Sequence, residues 1–373
     1  MKKLFLILVI ICLNESLLAQ DPVFSNFLAN PIYLNPALAG MDNNFRFSAN
    51  QRRQWSKIPS QFNTNSISFD SWQNNSNTAL SILYSNSNEG EAYLRTNNIY
   101  AGGAYRLFDV SPSPLAWQFG FQYQYTGKNI DFSRLVFSDE LDSYLGNTSS
   151  SSFIPPIATS FNSFNLALGT VLKYHFKKGS RSRRFNVPIN LDVEFGLAVH
   201  NFLQRSNSFV NNNNAILRKY TLHGSMLWPF ESGKLKGGVK HSAMYLEQGG
   251  LSTLQIGVAE AWLYPIHFGV FFRQQMSSLT TDLNRYESVY FVLSYQKVYE
   301  QSNLSLTFSY SRDFTISELG SYTNGINEFS ILIESVEGGL FSRSIQSKRY
   351  NKQKNRSIPC YSKFNTRAGL INY

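Results

Sequence analysis

Leu115-Ala-Trp-Gln-Phe-Gly-Phe-Gln-Tyr-Gln-Tyr125 decides the fold class. Successive side chains of a strand point to opposite faces. Leu115, Trp117, Phe119, Phe121, Tyr123 and Tyr125 therefore share one side, and Ala116, Gln118, Gly120, Gln122 and Gln124 the other. One face suits lipid and the other suits water. Soluble sandwiches alternate too, but their strands run about 5–6 residues, whereas a tilted membrane strand needs about 9–11. The pattern recurs where Ile189, Leu191, Val193, Phe195, Leu197 and Val199 oppose Asn190, Asp192, Glu194, Gly196, Ala198 and His200. It recurs again in Leu304, Leu306, Phe308 and Tyr310, which oppose Ser305, Thr307 and Ser309.

About fourteen such segments are expected between Phe45 and Glu334, the first ending at Gln51, and a single-chain bacterial barrel requires an even number. Past the first residues no stretch approaches 18 apolar residues, so only a closed barrel can cross a membrane. Of the 373 residues 43% are hydrophobic, 15% aromatic and 16% charged, the last well below the roughly 25% of an average soluble chain. The expected fold class is all-β, a transmembrane antiparallel β-barrel over residues 45–334. Outer-membrane barrels alternate long external loops with short periplasmic turns. Here the odd-numbered connections are the longer ones, except the fifth of the odd series, which is no shorter than the turns beside it. Both termini are then expected in the periplasm. Trp72, Trp117, Trp228 and Trp262 are expected at periplasmic strand ends, with Trp55 in an outer loop.

Residues 1–19 have the layout of a secretory signal: Lys2 and Lys3, an apolar run from Leu4 to Leu13, then Leu17-Leu18-Ala19 before a cut at Gln20. A retained anchor helix is the alternative, although the run is short for a span. Loss of the signal removes Cys12 and leaves Cys360 without an intrachain partner, so neither a disulfide nor a cysteine-based metal site is expected. The tail, residues 335–373, holds eight Lys and Arg residues against Glu337 alone, which is +7 of the formal +10. This basic periplasmic tail includes Lys348 and Arg349, and the turn with Lys177, Lys178, Arg181, Arg183 and Arg184 is expected on the same side. Such charge on a secreted barrel suits anionic headgroups of outer-membrane lipid or an acidic periplasmic protein, not nucleic acid. For the turn, a solvated stretch and a docking patch both remain open.

Residues 20–44 form an N-terminal segment too rich in Phe, Leu, Ile and Tyr to stay free in water. Asn30-Pro31 and Asn35-Pro36 forbid a continuous helix, because a residue before proline is pushed out of the α region and asparagine bonds its own backbone. A compact, bent segment carrying Phe24, Asn30, Pro31, Tyr33, Asn35, Pro36 and Gly40 is expected to pack in or across the periplasmic mouth, as a plug or partner-binding element. An irregular lead-in to the first strand is the other reading. Arg46, Arg106, Lys173, Asp192, Glu194, Lys236 and Lys240 should point inward, either pairing across the lumen or lining a selective pore. Asp192 and Glu194, with Lys173 on the preceding strand, read better as an ion-pair ladder than as catalytic carboxylates. The five histidines are scattered and no Ser-His arrangement accompanies them. No catalytic, cofactor-binding or metal-ligating residue is expected.

The run from Asp21-Pro22-Val-Phe24 through Asn30-Pro31-Ile-Tyr33-Leu-Asn35-Pro36-Ala37-Leu-Ala39-Gly40 resembles the opening signature of the PorP/SprF outer-membrane proteins of the Bacteroidetes type IX secretion and gliding machinery. Further matches are Arg52-Arg53-Gln54-Trp55 with Ile58-Pro59, placed in a loop, and Ser309-Tyr310 leading to Asp313-Phe314. Glu328-Phe-Ser-Ile-Leu and Ile358-Pro359-Cys360 followed by Phe364 complete the resemblance, with Tyr361 standing where the family usually has proline. The resemblance implies a noncatalytic outer-membrane barrel, without a cofactor, that supports export or surface anchoring of cargo such as adhesins with a C-terminal sorting domain. It also implies partners among periplasmic, peptidoglycan-linked lipoproteins. The residues alone leave an outer-membrane channel for small solutes as the alternative.

Overall fold

The computed structural model describes residues 22–336, apart from the connecting segments 59–61, 74–75, 91–93, 109–114, 143–145, 148–150, 155–158, 179–188, 205–215, 233–234, 264, 278–284, 300 and 317–322. Alternating sequence becomes fourteen long strands: β1 (Phe45–Gln54), β2 (Phe62–Gln73), β3 (Thr78–Glu89), β4 (Leu94–Phe108), β5 (Leu115–Asn129), β6 (Ser160–Lys178) and β7 (Ile189–His200). They continue with β8 (Lys219–Ser232), β9 (Leu235–Gln248), β10 (Leu251–Leu263), β11 (Ile266–Ser277), β12 (Arg285–Tyr299), β13 (Leu304–Thr315) and β14 (Ile326–Ser335). Each strand pairs antiparallel with the next, and β1 pairs with β14 from Arg46 opposite Glu334 to Gln54 opposite Ile326. Closure leaves no open edge whose backbone groups would face hydrocarbon. The fold is thus a closed fourteen-strand antiparallel barrel.

The alternation settles which way each side chain points. On β5, Phe121 is 57% exposed on the outer wall while its neighbour Gln122 is 1% exposed in the lumen. Leu80, Ile82, Leu293 and Phe314 likewise face outward from other strands. β5 and β7 finish at what we call the loop end, where the long connections 130–159 and 201–218 begin, and β2 and β4 finish at the opposite turn end. The length alternation is less regular than the sequence suggests. The connection 90–93 is as short as 74–77, and 249–250 is a two-glycine turn with φ +62° and +80° at Gly249 and Gly250. Two successive positive φ values match the twist of a tight hairpin, so this turn needs no loop.

Two expectations are corrected here. Arg52, Arg53 and Gln54 do not lie in a loop: β1 runs on through them, Arg52 opposite Glu328 and Thr64, Gln54 opposite Ile326 and Phe62. Only Trp55 lies beyond the strand, at φ +60° and edge-on to Phe62. Trp72 does not sit at the lipid interface either. It shares the inward phase of Ser68 and Asp70, is buried, and packs with Ala39, Ala79 and Ala104.

Candidate functional site in the barrel lumen

Residues 22–44 lie inside the barrel and run between its two ends. Their polypeptide folds as three single turns: a 3-10 turn at Phe27–Ala29, helix α1 (Pro31–Leu34) and a 3-10 turn at Pro36–Leu38. Each Asn-Pro pair starts one turn, with proline at the first helical position, where its missing N–H is not needed. The Asn35 side chain accepts from Ala37 N at 2.9 Å. Phe24, Ile32, Leu34, Leu38 and Met41 are buried. Strand walls without a lumenal filling would leave Gln118, Gln122 and Gln124 facing water. The segment buries them instead.

The closest approach is at Asn35-Pro36-Ala37. Gly120 of β5 and Gly169 of β6 stand opposite each other in register, and a Cβ at Gly120 would collide with the backbone of Pro36 and Ala37. A Cβ at Gly169 would collide with the Asn35 side chain, and one at Gly196 of β7 with His223 and Asn35. Glycine permits this contact because it has no side chain to displace. In the trough, Asn35 Nδ2 donates to Thr170 O at 3.2 Å and Leu197 O at 3.1 Å, and lies 3.1 Å from His223 Nε2.

Polar groups of the wall meet the segment backbone on every side. Gln118 donates to Ala37 O and Ala39 O at 2.8 and 2.6 Å. Arg106 donates to Met41 O at 2.8 Å, to Asn43 Oδ1 at 2.5 Å and to Gln118 at 3.0 Å, with its guanidinium 4.1 Å from the centre of the Trp72 ring. Arg46 forms a forked pair with Asp70 at 3.0 and 3.1 Å and donates to Leu38 O, while Gly40 N donates to Asp70 at 2.6 Å. Lys173 pairs with Asp42 at 2.8 Å. Toward the loop end, Glu328 accepts from Ser25 N and Asn26 N at 2.6 and 2.9 Å and pairs with Arg52 at 3.1 Å. Buried charge is tolerable only when paired or hydrogen-bonded; Arg106 and Lys173 meet that condition through the segment, whereas Arg46 with Asp70 and Arg52 with Glu328 meet it across the wall.

The structure brings Phe24, Asn30, Pro31, Tyr33, Asn35, Pro36 and Gly40 together in the lumen. Asn30 donates to Ser66 at 2.9 Å, and Tyr33 stacks edge-on with Phe24 and Tyr100. Lys173 and Glu194 are register partners 3.9 Å apart, and His175 and Asp192 form the next rung of the β6–β7 ladder. Arg106 stands away from them on β4. The side chains of Lys177, Lys178 and Lys236, and residues Arg181, Arg183, Arg184, Lys348 and Arg349, lie outside the described residues. Arg53 is exposed at the end of β1. Sequence reasoning missed Ser25, Asp42, Asp70, Arg273, Asp313 and Glu328 as segment contacts. For Asp70, Asp313 and Glu328, the inward phase of a charged residue on an alternating strand was the available signal.

A family model described as type IX secretion system membrane protein PorP/SprF matches residues 16–333. The chain belongs to this family. The match spans the lumenal segment and all but the end of the barrel. No curated protein matches the chain. Among solved structures it is similar to the toluene transporter TbuX of Ralstonia pickettii, at 10% identity over 82% of this chain and 93% of that one, with a TM-score of 0.43. It is also similar to a FadL homologue of Pseudomonas aeruginosa, at 12% identity over 82% and 94% with a TM-score of 0.37. A third is the β domain of the Bordetella autotransporter BrkA, at 8% identity over 79% and 98% with a TM-score of 0.38. At these scores the likenesses say nothing about what this barrel carries. Family and fold together are of a secretion or transport type.

Proposed function

We propose that this chain is a noncatalytic outer-membrane barrel of the type IX secretion or gliding machinery that supports export or surface anchoring of cargo proteins such as adhesins. The observation that supports this reading over a small-solute channel is the occupied lumen. Residues 22–44 act as a plug, hydrogen-bonded to strands on all sides of the wall, so the barrel works as a platform for protein partners. In this reading the turn end faces the periplasm. β14 finishes there at Ser335, so the basic sequence that follows it, like the basic sequence joining β6 to β7, would be offered to peptidoglycan-linked lipoproteins on that side. A cationic surface on that side suits an acidic protein partner. The plug reading and the docking reading are independent of each other.

The test is affinity purification of the tagged barrel from detergent-extracted membranes, paired with a deletion strain. Co-purification of a periplasmic lipoprotein or of a cargo protein with a C-terminal sorting domain is expected, with that cargo retained in the deletion strain. Normal surface cargo together with altered solute uptake would instead make the barrel a channel.

A further inference from the structure

The two halves of the lumenal segment are held in different ways. Residues 35–42 are clamped: Asn35-Pro36-Ala37 fills the glycine trough, and Asp42 supplies the nearer carboxylate of Lys173, 2.8 Å away against 3.9 Å for Glu194. Withdrawing that half would strip Arg106 of the Gly40 and Met41 oxygens. Residues 22–30 lie against charges that already have partners in the wall. Glu328 is paired with Arg52 at 3.1 Å and Asp313 with Arg273 at 2.8 Å. Their departure leaves both ion pairs in place, and water entering the lumen can solvate them.

The contacts of residues 22–30 are those of a bound peptide. Backbone N–H groups of Ser25 and Asn26 donate to the two oxygens of Glu328, a contact that ignores side-chain identity. Ser25 Oγ bridges Asp313 and Arg273 at 3.2 and 2.7 Å. Phe27 stands edge-on to Phe271, with ring centres 6.0 Å apart, and Phe271 stacks on Tyr290 at 4.9 Å. Beside Val23, Phe24 and Phe27 lies a small gap, with room for about one water, that reaches Met244 and Leu246. Main-chain bonds that give affinity and side-chain pockets that give selection are the division of labour in peptide recognition.

We propose that the loop-end half of the lumen is a peptide-binding cleft, occupied here by residues 22–30 of the chain itself, and that a second peptide, bent as they are and with two aromatic side chains three positions apart, takes their place. The proposal rests on the reading of residues 22–44 as a plug, and deepens it: the carboxyl half is the fixed part and the amino half the exchangeable part.

The experiment uses the full barrel lacking only residues 22–30, purified in micelles and reconstituted in planar bilayers, with a fluorescent synthetic peptide of residues 22–30 as the probe. Saturable binding by anisotropy is expected, with a fall in conductance toward that of the intact chain. A peptide with both Phe24 and Phe27 replaced by alanine should bind at least tenfold more weakly, as should the native peptide on a Glu328→Gln barrel. Conductance that rises on deletion while the peptide fails to bind overturns the cleft and leaves the plug standing. Unchanged conductance on deletion overturns the plug, and anisotropy still decides the cleft. Should the deleted barrel not fold, the Phe24→Ala/Phe27→Ala chain takes its place, and lack of peptide binding there overturns the cleft.

Discussion

Lys173 Nζ donates to Asp42 Oδ1 at 2.8 Å, joining strand β6 to the lumenal segment through a pair whose side chains are 7% and 3% exposed. Removing one member of a buried pair leaves an uncompensated charge, which costs about 3–5 kcal/mol. Asp42→Asn should fall at the low end of that range, because Glu194 stands 3.9 Å away and takes up part of the lysine's charge. Urea unfolding in micelles measures it. A change under about 0.5 kcal/mol would mean that the pair does not hold the segment. Replacing both residues by leucine and methionine should restore much of the loss.

Gly120→Ala and Gly169→Ala put a methyl group where Pro36 and Asn35 already stand. Overpacking of this kind costs about 1–3 kcal/mol, and here the lumenal segment is the element that yields. Both variants should raise single-channel conductance and lower unfolding stability. Gly224→Ala serves as control, since its Cβ would meet Glu194 O at an ordinary 3.4 Å. Equal behaviour of all three would remove the trough from the account.

The outer wall has a separate requirement. Phe121 is 57% exposed on the lipid face, midway along β5, and an arginine near the bilayer midplane costs about 2–4 kcal/mol. Phe121→Arg should therefore unfold at lower denaturant in lipid bilayers, whereas Phe121→Leu stays close to the parent. An arginine variant as stable as the parent would place this face out of the hydrocarbon.

In the connection 130–159, the backbone N–H of Ser152 and then the Ser152 and Ser151 hydroxyls hold the Asp139 carboxyl below its ordinary pKa. A depressed folded value means that the contribution to loop order is present above the ordinary carboxylate pKa and is lost as pH falls through the lower, folded one. Proteolytic cleavage of this loop by an acid-active protease should accelerate across that window in the parent. Asp139→Asn should be cleaved at the fast rate throughout; a parallel pH dependence in the variant would assign the effect to another group.

Much of the barrel was legible before any coordinates. Phe119, Phe121 and Tyr123 alternate with Gly120, Gln122 and Gln124, and that local regularity names both the strand and its two faces. Trp72 shows the limit of the same logic: its place at the end of β2 is legible, but its inward phase, shared with Asp70, puts it in the lumen and not at a lipid interface. The end of β1 at Gln54 was not legible either, because Arg52 and Arg53 break the apolar alternation. Arg52 belongs in the strand only because Glu328 lies across the closing seam.

Composition and period-two alternation, which depend on neighbouring residues only, determined that the chain is a closed membrane barrel of about fourteen strands, and the Asn-Pro pairs determined that the segment before it is bent. Tertiary structure alone decided where that segment goes and what holds it. Ser25 meets Glu328, 303 positions away, and Asn35 meets Leu197, 162 positions away. Such contacts have no local signature, because they exist only once the closing of β1 on β14 has curved distant strands around one lumen.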